Sequence, residues 1–109
     1  SKPNNGADAK VLVVAKIDAT SLHFQKAAGR NRDSLSVVAA LFDASGGYVT
    51  GAAKTVNLKF LDETLRQKEP AITLNWEFDV KPATYVVRLV IREPQGQAMT
   101  TLNRTVKIL

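Results

Sequence analysis

The chain has 109 residues, 45% of them apolar, and a net charge of +5. That length supports one domain with one core. No apolar run approaches the ~20 residues of a membrane span, and the absence of cysteine with only one histidine, His23, excludes disulfides, thiolate chemistry, Cys-based metal sites and any two-histidine metal motif.

Residues 1–9 read as a flexible polar lead-in around Pro3, Asn4, Asn5 and Gly6, with no apolar leader segment. The polar start without methionine reads as a fragment of a longer protein. One β-sandwich domain is expected over 10–109. Lys10–Asp18 is the first strand, with Val11, Val13, Ala15 and Ile17 inward. Leu12 and Val14 make its first half apolar on both faces, which predicts cover on both sides or a central position in the sheet. Gln25–Ser34 reads as a basic, polar connection.

Leu35–Phe42 is the second strand, and Asp43-Ala-Ser-Gly-Gly47 is a tight turn in which Gly46 and Gly47 can adopt positive φ. The strand after it should pair back as a hairpin. Ala53–Leu61 alternates, with Val56, Leu58 and Phe60 inward. Asp62–Glu69 has helix formers and an acidic, capping-type start, ended by Pro70. Ile72–Val80 alternates again and places Trp76 in the core.

Lys81-Pro-Ala-Thr-Tyr-Val-Val-Arg-Leu-Val-Ile-Arg92 is the best-defined stretch. Pro82 forces a turn and disfavours helix at Lys81. Period two then puts Tyr85, Val87, Leu89 and Ile91 on one face and Val86, Arg88, Val90 and Arg92 on the other. Tyr85 is placed either to form a tyrosine corner, with its ring in the core and its hydroxyl bonded to backbone upstream, or to cover the sheet edge. Glu93-Pro-Gln-Gly-Gln97 is a turn, and Met99–Leu109 is the last strand. About seven short strands predict an immunoglobulin-like or fibronectin III-like antiparallel β-sandwich, with an eight-stranded barrel as the alternative.

Chemistry is sparse. Asp43-Ala-Ser-Gly-Gly47 resembles the Asp-x-Ser-x-Ser of metal-dependent adhesion sites, but Gly47 replaces the last serine and a strand follows, so a hairpin turn is expected. His23 reads as packing, and Asp62, Glu63 and Glu69 as solvated charges. No catalytic residue, cofactor or metal is expected. Lys26, Arg30 and Arg32 cluster in one connection, and Arg88, Arg92 and Arg104 are expected to line one sheet face. These six form the candidate interaction surface. Nucleic acid would require stacking aromatics on that face, and the aromatics Phe42, Tyr48, Phe60, Trp76, Phe78 and Tyr85 fall mostly on core phases instead.

The order Asp43–Val49, an alternating strand, Phe78–Arg88 and Glu93–Gly96 resembles the C-terminal region of acidobacterial proteins that carry a von Willebrand factor type A-related domain. In that family an "fDxxG.v" hairpin precedes an "lkPGxYxlRvvvrd" hairpin. This chain has Ala83 at the pattern's glycine and ends Ile108-Leu109 without the closing proline. The resemblance covers Lys10–Leu109. It implies a secreted, periplasmic or cell-surface accessory domain, with no catalytic or ligand residues. Two functions follow as expectations. One is a non-catalytic structural or protein-interaction module, contacting other domains of the same protein or another protein. The other is a polyanion-binding module for acidic glycan or nucleic acid, resting on the +5 charge.

Overall fold

The computed structural model describes residues 9–67 and 70–109. The lead-in expected over 1–9 lies outside them, apart from Ala9. Seven strands follow in chain order: β1 Ala9–Asp18, β2 Gln25–Ala27, β3 Arg30–Asp43, β4 Tyr48–Phe60, β5 Ala71–Val80, β6 Ala83–Glu93 and β7 Ala98–Ile108. A 3-10 turn, Ala19–Ser21, and one helical turn, Asp62–Leu65, complete the described elements.

The strands form two antiparallel sheets. Among the described residues β1 pairs only with β5, in register from Ala9↔Val80 to Asp18↔Ala71. The larger sheet is built on β3. β4 runs along one edge of β3, from Asn31↔Phe60 to Phe42↔Tyr48. The other edge is shared end to end, because β2 bonds Arg30–Arg32 and β6 bonds Ser36–Asp43. β7 then pairs with β6. The sandwich expectation therefore holds, and the two separate sheets exclude the barrel.

The core follows the period-two pattern of each strand. Val11, Val13, Ala15 and Ile17 of β1 and Ile72, Trp76, Phe78 and Val80 of β5 are buried against Leu35, Val37, Ala39 and Leu41 of β3 and Tyr85 and Val87 of β6. Lys81 and Pro82 carry the chain from one sheet to the other between β5 and β6. The Tyr85 hydroxyl donates to the Lys81 carbonyl oxygen at 2.5 Å, so the tyrosine corner is formed and ties β6 to the inter-sheet link. In the β3–β4 turn, Gly46 sits at φ +94°, where a side chain would be strained.

Three expectations are corrected. Leu12 and Val14 are not covered on their outer face; they are 64% and 53% exposed, because among the described residues no layer packs over that side of the two-stranded sheet. Gln25–Ser34 is not a loose connection but a hairpin, turning at Ala28 and Gly29, both with positive φ. Its polar residues suit a two-sided, solvated end of the sheet, which hid the strand pattern. The helical turn at Asp62 has Leu61 as N-cap and no side-chain cap. The Asp62 carboxylate is taken instead by Lys26 at 2.5 Å and Asn31 at 2.7 Å.

Candidate functional site

The six candidate cations do not form one surface. Register places Arg88 opposite Asn103 and Arg92 opposite Met99, on the outer face of the larger sheet. Arg104 lies opposite Val87, a buried residue, and so projects from the inner face. The expectation that the three arginines share a face fails by one step of strand parity. In the β2–β3 hairpin, Lys26 pairs with Asn31, whereas Arg30 and Arg32 belong to the alternate positions. Lys26 is ion-paired to Asp62. Arg88 rests over the Phe42 ring at 4.9 Å and donates to Asn103 at 2.9 Å.

The residues assigned to structure behave accordingly. Trp76 is buried, with Lys54 Nζ 5.2 Å from its ring centroid. The Asp43 carboxylate accepts from Ser45 N at 3.0 Å, Ser45 Oγ at 2.7 Å and Gly47 N at 2.8 Å. One oxygen, Oδ1, takes all three donors, the geometry of a turn stabilised by its aspartate. These donors hold the Asp43 carboxyl below its ordinary range, the Ser45 hydroxyl most of all.

A polar cluster that the sequence did not disclose sits where β6 ends and β2 begins along the shared edge of β3. Asp33 continues the inward parity of Leu35, and Glu93 that of Ile91. They are 8% and 4% exposed, the two buried charged residues among those described. Glu93 Oε2 accepts the His23 backbone N–H at 2.6 Å, and Glu93 Oε1 meets His23 Nδ1 at 2.6 Å. The Glu93 side chain thus ties the end of β6 to the segment that leads into β2. Gly96 makes room for this, since a Cβ there would collide with His23 Nδ1 and with Glu93 Oε1.

Burial pushes the Asp33 carboxyl up to about 6, reinforced by the hydrogen bond with Glu93 and opposed by the Ser34 N–H. Burial also acts to raise Glu93, but hydrogen bonds from Asp33 and from the His23 N–H and ring outweigh it, and the group lies below its ordinary range. The hydrogen bond and charge of Glu93 raise His23. The protonation of two carboxyl groups and an imidazole is therefore coupled. The imidazole side chain is 60% exposed while Glu93 stays buried, and together they fasten a strand junction. Strand parity, read through Arg30–Ser34 and on to Glu93, was the available signal for both acids. Nothing in the sequence paired them with His23.

The second feature lies on the opposite edge. β7 is bonded to β6, and its inner-face residues Thr100, Leu102, Arg104 and Val106 stand beside Ile91, Leu89, Val87 and Tyr85. Leu102 is on the core side of its sheet yet 54% exposed, because the two-stranded sheet stops short of it. Between β1 and β7 runs a groove of about 410 Å³, floored by Val87, Leu89, Ile91 and Leu102. Among its lining residues only Lys16, Asn103 and Arg104 are polar or charged, and none is acidic.

No family model and no curated protein matches the chain. Solved structures do. A calcium-binding mutant of Bacteroides uniformis β-glucuronidase 2 superposes with a TM-score of 0.54 at 11% identity, over 89% of this chain and 13% of that one. A Bacteroides uniformis β-glucuronidase gives a TM-score of 0.54 at 12% identity, over 96% of this chain and 14% of the other. The likeness is one of fold. The chain spans about one seventh of the length of those enzymes, and its β-sandwich is a building block that they also contain.

Proposed function

We propose that this chain is a non-catalytic structural or protein-interaction module of a larger exported protein, with an immunoglobulin-like sandwich as its frame. The observation that carries this reading is the unfinished edge of the sandwich: β1 has one strand partner, and β7 presents core-side residues to solvent. An unpaired strand edge beside exposed apolar side chains favours association with another polypeptide surface. Leu12, Val14 and Leu102, each more than half exposed, extend that surface around the edge. Export and the accessory role rest on the resemblance to von Willebrand factor type A-related proteins. The cations are divided between faces and partly neutralised, which gives the polyanion reading no continuous stripe to rest on.

Among the described residues no helix is long and apolar enough to cross a membrane. The test is co-elution. Mixed with the neighbouring domains of its parent polypeptide, the chain should move to a larger size in gel filtration. Leu12→Glu combined with Leu102→Glu should abolish the shift, because both positions are already solvent-exposed and tolerate charge in the free chain. Separate elution of wild-type chain and every neighbouring domain refutes the reading.

A further inference from the structure

We propose that the groove between β1 and β7 accepts a single extended strand from a partner polypeptide, apolar at alternate positions and bearing a carboxylate for Arg104. The proposal rests on the interaction-module reading and names the chemistry of its partner. Two observations fix the shape of the occupant. β1 is ten residues long and bonded on one edge, so its other edge offers backbone N–H and C=O groups over roughly 33 Å at strand rise. A polypeptide strand satisfies such a row, with main-chain bonds supplying affinity and alternate side chains supplying specificity. The uncovered inner face of β7 then requires apolar side chains on one side of that strand, to lie over Leu102 and Val106 and against Leu89 and Ile91. Sandwiches of this kind commonly set three or more strands in each sheet. Here two strands oppose β4, β3, β6 and β7, and one position is open.

Charge fixes the rest. Lys10, at the start of β1, is already matched by Asp79 at 2.6 Å and Glu77 at 3.1 Å. Lys16 and Arg104 have no carboxylate within 4.0 Å among the described residues, and both line the groove. Arg104 projects from the inner face, beneath the incoming strand, so a carboxylate at an inward position meets it in partly desolvated surroundings, where an ion pair gains strength. Ser1–Asp8 contains no large apolar side chain apart from proline, and its composition does not fill such a floor. A second copy fits poorly as well, because the inward positions of β1 and every position of β7 lack the carboxylate that Arg104 requires.

The probe is a nine-residue peptide, Val-Thr-Val-Thr-Asp-Thr-Val-Thr-Val, whose inward set is apolar with one central carboxylate. Its controls are the same peptide with Lys for Asp and a scrambled order that breaks the alternation. Titrated into the isotope-labelled chain, the acidic peptide should shift amide resonances of Val11–Ile17 and Leu102–Val106. The lysine and scrambled peptides should bind at least about tenfold more weakly. Arg104→Glu, an exposed change, should invert the order of the acidic and lysine peptides. No shifts at millimolar peptide, equal binding of the scrambled sequence, or an unchanged order in Arg104→Glu would each overturn the proposal. So would a concentration-dependent dimer that protects β1, since it assigns the edge to a second copy. If co-elution with neighbouring domains succeeds while the peptides fail, strand addition falls and the module reading stands.

Discussion

Tyr85 separates two contributions that one side chain makes. Its ring is 5% exposed in the core cluster, and its hydroxyl holds the Lys81 carbonyl. Tyr85→Ala removes both and leaves a cavity; buried aromatic-to-alanine changes cost about 3–5 kcal/mol. Tyr85→Phe keeps the ring and removes one hydrogen bond, a loss of about 1 kcal/mol. Lys81 is exposed, so water can serve its freed carbonyl and the cost should not rise far above that. For a domain of this size, total stability is about 5–15 kcal/mol, so the alanine variant gives up a large share of it. With a urea slope of about 2 kcal/mol per molar, the midpoint should fall by about 2 M for Ala and about 0.5 M for Phe. The assay is urea unfolding followed by the fluorescence of Trp76, which lies in the same core. A loss below ~1 kcal/mol for Ala would refute the core assignment. Equal losses for Ala and Phe would refute the division between ring and hydroxyl.

The polar cluster supports two further expectations. Asp33 has a higher pKa folded, about 6, than unfolded, 3.8, so the native state holds the extra proton between those values. Stability from this group is therefore full below about pH 4 and is lost as pH rises through 6, by about 1–3 kcal/mol at most. Asp33→Asn should remove that loss, and denaturation curves of the two proteins that stay parallel from pH 4 to 7 would contradict it. Gly96→Ala should separate His23 from Glu93, since its methyl group occupies their contact. The His23 pKa, raised by Glu93, should then fall toward its ordinary value, and stability gained below pH 6.5 should shrink. A proton-NMR titration of His23 that does not move would show that the pair survives and that the steric argument is wrong.

Much of the fold was legible because strand parity is a local property. The alternation in Ile72–Val80 and Tyr85–Ile91 identified the buried faces, and Lys81-Pro82 located the passage between sheets. The Asp43–Gly47 turn was readable for the same reason, since aspartate and glycine act on backbone within a few residues. Ala83 at the glycine position of the family pattern is also accommodated locally, because its φ is not positive. Where polar residues occupied both faces, as in Gln25–Ser34, the stretch has no apolar alternation of its own; only parity carried back from Leu35 marked a strand there, and the hairpin was missed.

Only the tertiary structure decided which strands became neighbours. Leu12 and Val14 have the composition of a covered strand, but exposure depends on what packs outside β1, and no local pattern encodes it. Arg104 was assigned to the wrong face because its side follows from the β6–β7 register, a one-residue matter set across the sheet. His23 and Glu93 are 70 residues apart and meet because β2 and β6 share one edge of β3. The sequence by itself determined a β-sandwich locked by Tyr85. Long-range strand order determined that the sandwich is open between β1 and β7, since an edge is defined by the partner it lacks.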